Sequence, residues 1–285
     1  MLTLTINKKA CIRCGKCVRI CPASILYQNS RNDEVLVHNL DTCIQCGHCV
    51  AICPMDAVEH STFPSDKVHA IERSLLPTPE QVTTLIRSRR SNRAFSSKPV
   101  PKEYLEQIIE AAYRCPTASN SQDVEFTVIT NPEKLREISA LTIDVFSSML
   151  KKVNIIKPVV KLVAPEVVGM IPSLKKMLNQ FENGKDPILR GAQAVILFHT
   201  AEKARFGRQD SNLAYQNASL MAESLGVAQF YTGFVCVSAD IDGKEQRLAK
   251  ALGISGKIHA GMALGIPSFT FNKYIDKKPV RVQWI

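Results

Sequence analysis

Cys11-Ile-Arg-Cys14-Gly-Lys-Cys17-Val-Arg-Ile-Cys21-Pro22 and Cys43-Ile-Gln-Cys46-Gly-His-Cys49-Val-Ala-Ile-Cys53-Pro54 are two copies of one pattern, C-x-x-C-x-x-C-x-x-x-C-P. They lie 32 residues apart, agree at nine of twelve positions, and hold eight of the chain's ten cysteines. This is an internal repeat. Three chemistries compete for such thiols. A disulfide framework needs an oxidising compartment, and the stretch from Met1 to Cys11 carries no apolar signal core. A zinc site takes two closely spaced pairs, and a third Cys two residues on has no tetrahedral role. In C-x-x-C-x-x-C, three thiolates wrap three irons of one cube, and a fourth Cys followed by Pro reaches the other cube. The spacing therefore predicts two 4Fe–4S clusters, with zinc as the alternative. Cys11, Cys14, Cys17 and Cys53 would hold one cluster, and Cys43, Cys46, Cys49 and Cys21 the other.

Residues 1–60 thus resemble a bacterial-type two-cluster ferredoxin domain. Gly15 and Gly47 fall inside the cysteine runs, where backbone N–H groups must approach sulfur closely. Ile12, Ile20, Ile44 and Ile52 are expected to shield the cubes from water. His48, inside a run, reads as cluster environment rather than as a ligand. Cys115 and Cys236 read as buried core.

The whole chain has 285 residues, 45% of them hydrophobic and 22% charged, ordinary for a globular protein. No apolar run reaches the roughly 18–20 residues of a membrane span. The best stretch, 158–172, is broken by Lys161 and Glu166. A cytoplasmic protein is expected. Net charge is +10, of which residues 1–60 carry +1 and the remainder +9. Nucleic-acid binding has this charge on its side alone, since no basic run is interleaved with aromatics. An anionic cofactor or an acidic electron-transfer partner explains the excess better.

Residues 61–80 read as a connector punctuated by proline. Beyond it the periodicity predicts helices from Thr78-Pro79-Glu80 to about Arg90, over 101–114, from Asn131-Pro132-Glu133, over 210–225 and over 242–252. It predicts strands over 124–130, 194–199, 227–237, 258–265 and 280–285. Elements mix without clean βαβ alternation, so the class is α+β. There is no G-x-G-x-x-G and no G-x-x-x-x-G-K-(S/T), hence no separate nucleotide domain.

Three stretches carry a second chemistry. Arg87-Ser-Arg89-Arg90-Ser91-Asn92-Arg93 suits a phosphate. Pro116-Thr-Ala-Ser119-Asn120-Ser-Gln122 is a loop of small and amide residues after a helix. Gln229-Phe-Tyr231-Thr232-Gly233 places a glycine on a strand, where a ring could lie against the backbone. Each alone is unremarkable. Together, in this order, they resemble the nitroreductase family of FMN enzymes, and with the leading module the chain resembles the ferredoxin–nitroreductase fusions. The implied organisation is a two-cluster domain over 1–60, a linker over 61–80 and an FMN domain with an α+β sandwich over 81–285.

The resemblance implies that Arg89, Arg90, Ser91 and Arg93 hold the FMN phosphate and ribityl chain. Pro116, Ser119, Asn120 and Gln122 would follow the ribityl and ring edge, and Tyr231, Thr232 and Gly233 would face the isoalloxazine N5 side. Lys273, Lys277 or Lys278 would complete the phosphate site where the family more often has Arg. Asp123-Val-Glu125 stands where many relatives have an aromatic. The family needs no Ser-His-Asp triad or paired carboxylates, and none appears. It also implies a homodimer, with 280–285 adding to the partner's sheet. A small electron-poor acceptor is implied too, with reduced ferredoxin or NAD(P)H as external donor. Residues 146–190, proline-broken and +5, are expected to form a mobile lid. The competing reading is an electron-transfer or redox-sensing module whose flavin serves a protein partner.

Overall fold

The computed structural model describes residues 2–155, 158 and 165–285 and divides the chain into two compact units. The first comprises residues 1–76 with 118–121, the second residues 77–117 with 122–285.

The first unit repeats itself as its sequence does. Helix α1 (Lys16–Ile20) and helix α2 (His48–Ala51) start directly inside the two cysteine runs. Each is opened by a glycine in the left-handed region, Gly15 at φ 70° and Gly47 at φ 72°. There an L side chain costs about 1–2 kcal/mol. Two short antiparallel ladders frame the helices. One pairs β1 (Leu4–Ile6) with β4 (Val58–His60), Leu4 opposite His60; the other pairs β2 (Leu26–Tyr27) with β3 (Leu36–Val37). The small core holds Leu4, Ile25, Leu26, Val35, Val50 and Val58 together with Cys17 and Cys49.

The second unit is a sandwich around a four-stranded antiparallel sheet. Its strands are β5 (Glu125–Ile129), β6 (Ala194–Thr200), β7 (Ala228–Tyr231) and β8 (Lys257–Gly265), in the order β5-β6-β8-β7. All seven residues of β6 are buried, which is why it reads as a continuous apolar run instead of alternating. Its side chains still alternate between faces. Val195 and Leu197 pack with α5 (Pro132–Ile155) and α6 (Pro165–Glu182), while Ala194, Ile196 and Phe198 pack with α4 (Lys102–Tyr113) and α7 (Gly207–Ser224). Helix α7 lays Ala214, Ala218 and Ala222, one turn apart and fully buried, on the sheet. Fully burying a side chain such as Ile196 or Met262 is worth about 1.5–3 kcal/mol. Helix α3 (Pro79–Ser88) begins with the expected Thr78 N-cap and first-turn proline, to which the structure adds a capping box between Thr78 and Gln81. Among the described residues no helix is long and apolar enough to cross a membrane.

Four expectations need correction. The strand expected over 227–237 stops at Tyr231, and α8 (Gly233–Asp242) follows. The helix expected over 242–252 shrinks to α9 (Arg247–Ala251), because Gly243 and Gln246 take positive φ. Residues 280–285 form no strand in the single chain; they are exposed and meet no sheet edge to pair with. The lid expected over 146–190 is anchored at both ends. Phe146, Leu150 and Val153 of α5 and Ile171, Leu174 and Met177 of α6 belong to the core. Ile156, Val159, Val160 and Val163 lie outside the described residues.

Candidate functional site

Two hollows of the first unit are lined by cysteine. Cys11, Cys14, Cys17 and Cys53 line the first, and Cys21, Cys43, Cys46 and Cys49 line the second. Each cavity thus takes three thiols from one run and the last thiol of the other. The electrostatics group the same residues. Burial raises the pKa of the Cys17 thiol, and the charges that add to it come from Cys53 and Cys11. Burial pushes Cys49 up to about 11, with Cys21, Cys46 and Cys43 adding to it. Peptide N–H groups reach the sulfurs, from Ala57 to Cys53 Sγ at 3.3 Å and from Gln45 to Cys43 Sγ at 3.4 Å. Among the described residues no three His, Cys, Asp or Glu side chains close on a single metal ion. Four thiols around a wider, apolar-walled space, with N–H groups aimed at sulfur, fit a cube better than one zinc. Of the four expected shielding isoleucines, Ile12 lines the first cavity and Ile44 the second, Ile20 and Ile52 line neither, and Ile12, Ile20 and Ile52 are all exposed. His48 lines the second, as does His60, which the sequence did not single out. Burial lowers the pKa of His60, favouring a neutral ring.

In the second unit the basic turn meets β7. Ser91 forms a parallel bridge with Gln229, which sets residues 89–93 along that strand. Arg93 lies over the Phe230 ring, 5.1 Å from its centroid, and donates to Ser91 O at 3.3 Å. Tyr215 of α7 donates to Gln229 Oε1 at 2.8 Å. Burial pushes Tyr215 up to about 12, against the pull of the Arg89 and Arg93 charges. Arg89, Arg93, Tyr215 and Gln229 are therefore neighbours. Two buried polar atoms here have no partner among the described residues, Gln229 Nε2 and Thr232 Oγ1. Leaving such a group unpaired costs about 1–3 kcal/mol, so the strand is poised for a ligand with hydrogen-bonding edges beside a cationic turn. Those donors and charges fit FMN.

The remaining expected residues are placed unevenly. Tyr231 donates to His259 O at 3.2 Å, and Thr232 N–H to Gly261 O at 2.9 Å. Gly233 opens a helix rather than sitting on a strand, and a Cβ there would meet only Tyr231 Cδ1 at an ordinary 3.8 Å. The close approach falls instead at Gly261, where a Cβ would run into Thr232 Oγ1. Pro116 is exposed after α4. Gln122 accepts from Tyr113 Oη at 3.0 Å. Ser119 and Asn120, at φ 53° and 55°, belong to the first unit, where the Asn120 amide donates to Ile44 O and Gln45 O at 3.2 and 2.9 Å. That amide nitrogen is committed to peptide carbonyls. Lys273, Lys277 and Lys278 sit exposed in an irregular tail, which is tied down further up by Asn92 Nδ2 donating to Phe269 O at 2.8 Å. Gln229 and Tyr215 are the residues that sequence reasoning left off this site. Gln229 stood in the third stretch, but nothing local marks its side chain as orphaned.

Comparison with known proteins agrees with this division. The profile of the 4Fe-4S dicluster domain matches residues 3–55, and that of the nitroreductase family matches residues 86–266. The FMN reductase (NAD(P)H) of Bacillus subtilis strain 168 is 26% identical over 195 residues, 66% of either chain. Iodotyrosine deiodinase 1 of Rattus norvegicus is 31% identical over 86 residues, 29% of this chain and 30% of that one. The chain thus spans between 30% and 66% of the length of these curated relatives. Among solved structures, a nitroreductase with bound FMN from Bacteroides fragilis NCTC 9343 superposes with a TM-score of 0.55 at 22% identity, covering 72% of this chain and 97% of that one. A nitroreductase with bound FMN from Desulfitobacterium hafniense DCB-2 gives 0.53 at 20%, covering 70% and 97%. These likenesses establish the sandwich fold. The family profile covers well over half of the sequence, and the chain belongs to the nitroreductase family, with a 4Fe-4S dicluster domain ahead of the family domain.

Proposed function

We propose that the chain is an iron–sulfur flavoprotein oxidoreductase. Electrons from an external donor, reduced ferredoxin or NAD(P)H, would pass through two 4Fe–4S clusters to FMN and on to a small electron-poor acceptor such as a nitroaromatic, quinone or enoate. The observation that carries this reading is the sorting of eight cysteines into two cavities, each closed by the other run's last thiol. The domains are proposed as 1–60 for the clusters, 61–80 as linker and 81–285 for FMN, acting as a homodimer. Clusters supply single electrons, and a flavin joins them to two-electron chemistry.

The chain's own residues bind and orient. Cys11, Cys14, Cys17 and Cys53 would ligate one cluster, and Cys43, Cys46, Cys49 and Cys21 the other. Arg89 and Arg93 would neutralise the phosphate, with Arg90 and Ser91 beside them. Gln229 Nε2 and Thr232 Oγ1 would pair with the ring's polar edge, relieving two buried unpaired atoms. Tyr215 holds Gln229 in place through its hydroxyl. Pro116, Gln122, Tyr231 and Gly233 would border the same ligand. Anaerobic purification tests the reading. About eight irons and one flavin per chain, with broad absorbance near 400 nm, are expected, along with steady-state reduction of a nitroaromatic and quinone panel. A loaded protein that turns over none of these acceptors, yet passes electrons to a redox protein, supports the electron-transfer reading instead.

A further inference from the structure

We propose that the ring N–H of His60 donates a hydrogen bond to the sulfur of Cys43 and makes the second cluster easier to reduce; the inference rests on the two-cluster reading above. His60 closes β4, is 5% exposed, and places Nε2 3.7 Å from Cys43 Sγ. Its other ring nitrogen settles the tautomer. The peptide N–H of Thr62 donates to His60 Nδ1 at 3.1 Å, so Nδ1 is bare and the proton of the neutral ring sits on Nε2, facing the sulfur. The ring is fixed further by Phe63, at 5.0 Å between centroids.

The repeat supplies an internal control. Across the 32-residue offset the counterpart of His60 is Gln28. Gln28 Nε2 donates to Arg13 O at 3.1 Å and to Asp33 O at 2.7 Å. An amide nitrogen has two hydrogens, and both are used on carbonyls. Gln28 therefore has no donor left for the first quartet, and it does not line the first cavity, whereas His60 lines the second. Beside the three positions at which the runs differ, two sites alike in ligand spacing thus differ in one directed side-chain N–H. Adding an electron raises the negative charge on the ligating sulfurs, so a donor aimed at one of them favours the reduced state, and hydrogen bonds to sulfur are one of the levers that set cluster potentials.

The test is an anaerobic redox titration of the whole protein followed by electron paramagnetic resonance, with iron and acid-labile sulfide measured first. Wild type, His60→Phe and His60→Gln are compared. Phe keeps a ring without a donor, and Gln carries an amide N–H at about the position of Nε2. In His60→Phe one of the two cluster midpoints is expected to fall, the reduced-to-oxidised ratio at fixed potential dropping about tenfold, which is about 59 mV for a one-electron couple. The other midpoint holds, and His60→Gln stays near wild type. Loss of one cluster in His60→Phe beside full loading of His60→Gln also supports the donor. Midpoints that all stay, midpoints that move together, or loss of a cluster in both variants overturn the proposal. Wild-type protein without two clusters overturns the underlying reading instead.

Discussion

Cys53 lies in the second cysteine run by sequence but in the first cavity by structure, so replacing it separates the two descriptions. Cys53→Ser keeps the size of the side chain and removes one of four thiolates from the Cys11, Cys14 and Cys17 set, along with the sulfur that accepts the Ala57 N–H at 3.3 Å. The second cavity loses nothing, because its fourth thiol is Cys21. Iron and labile sulfide are expected to drop by half, from about eight to about four per chain. Alkylation mapped by mass spectrometry identifies which half. Cys14, exposed in the first run, should label first and the buried Cys17 last, while Cys21, Cys43, Cys46 and Cys49 stay protected. Cys21→Ser should give the reciprocal pattern. Both variants should keep FMN, because residues 89–93 are untouched, and both should lose flavin reduction by a low-potential donor such as reduced ferredoxin. Labelling of Cys43, Cys46 and Cys49 in Cys53→Ser would refute the crossed assignment. Flavin reduction at the wild-type rate, with the cluster shown to be missing, would take the clusters off the path.

Arg93→Ala should weaken FMN retention roughly 10- to 100-fold, the worth of a hydrogen bond to a charged group, whereas Arg93→Lys should recover most of the charge term; equilibrium dialysis of the flavin checks both, and unchanged retention in Arg93→Ala removes it from the phosphate site. Deleting 280–285 should give a monomer with weakened flavin retention, read by light scattering and absorbance, and a truncated protein that stays dimeric and loaded rejects the tail's proposed role. His259 should make the protein acid-sensitive. Burial, with Lys257 and Arg208 adding to it, pushes the ring down to about 4, while in the unfolded chain it protonates near 6.5. Its contribution is complete above about pH 6.5 and is lost as pH falls toward 4, at up to about 1.4 kcal/mol per pH unit. Chemical denaturation between pH 7 and 4 should show this slope, and His259→Gln should flatten it.

What the sequence showed best was chemistry that depends on fixed spacing. The cysteine runs are read from intervals of two and three residues, and their glycines from the need for backbone close to sulfur. The α3 start is read from Thr78 as N-cap followed by Pro79, and β6 from a run that is buried on both faces. Spacing failed where a neighbour distant in sequence decides. Val227 to Val237 looks like one strand because it is apolar and β-branched. The Thr232 N–H to Gly261 O bond is the ladder's last; the Thr232 carbonyl then accepts from Cys236 N–H to start a helix, and Val235, Cys236 and Ser238 are buried at helical positions. Residues 280–285 alternate as a strand does, yet a strand exists only where it pairs with an edge, and in the single chain they lie exposed and pair with none.

The same logic explains why the candidate sites were only half legible. Ligands repeat, and repeats are visible. The groups that tune or orient a ligand sit on other elements, at separations that carry no pattern. Tyr215 reaches Gln229 from a helix on one face of the sheet. His60 reaches Cys43 from the end of a strand, and its twin Gln28 turns away to two carbonyls. The nine identical positions of the repeat make the two sites alike in their ligands, so any inequality between them arises from the three positions that differ or from outside the runs. His60 and Gln28 supply one such difference, a directed N–H present on one side of the duplication and spent elsewhere on the other. A pair of otherwise like clusters needs such a difference to order electrons between them.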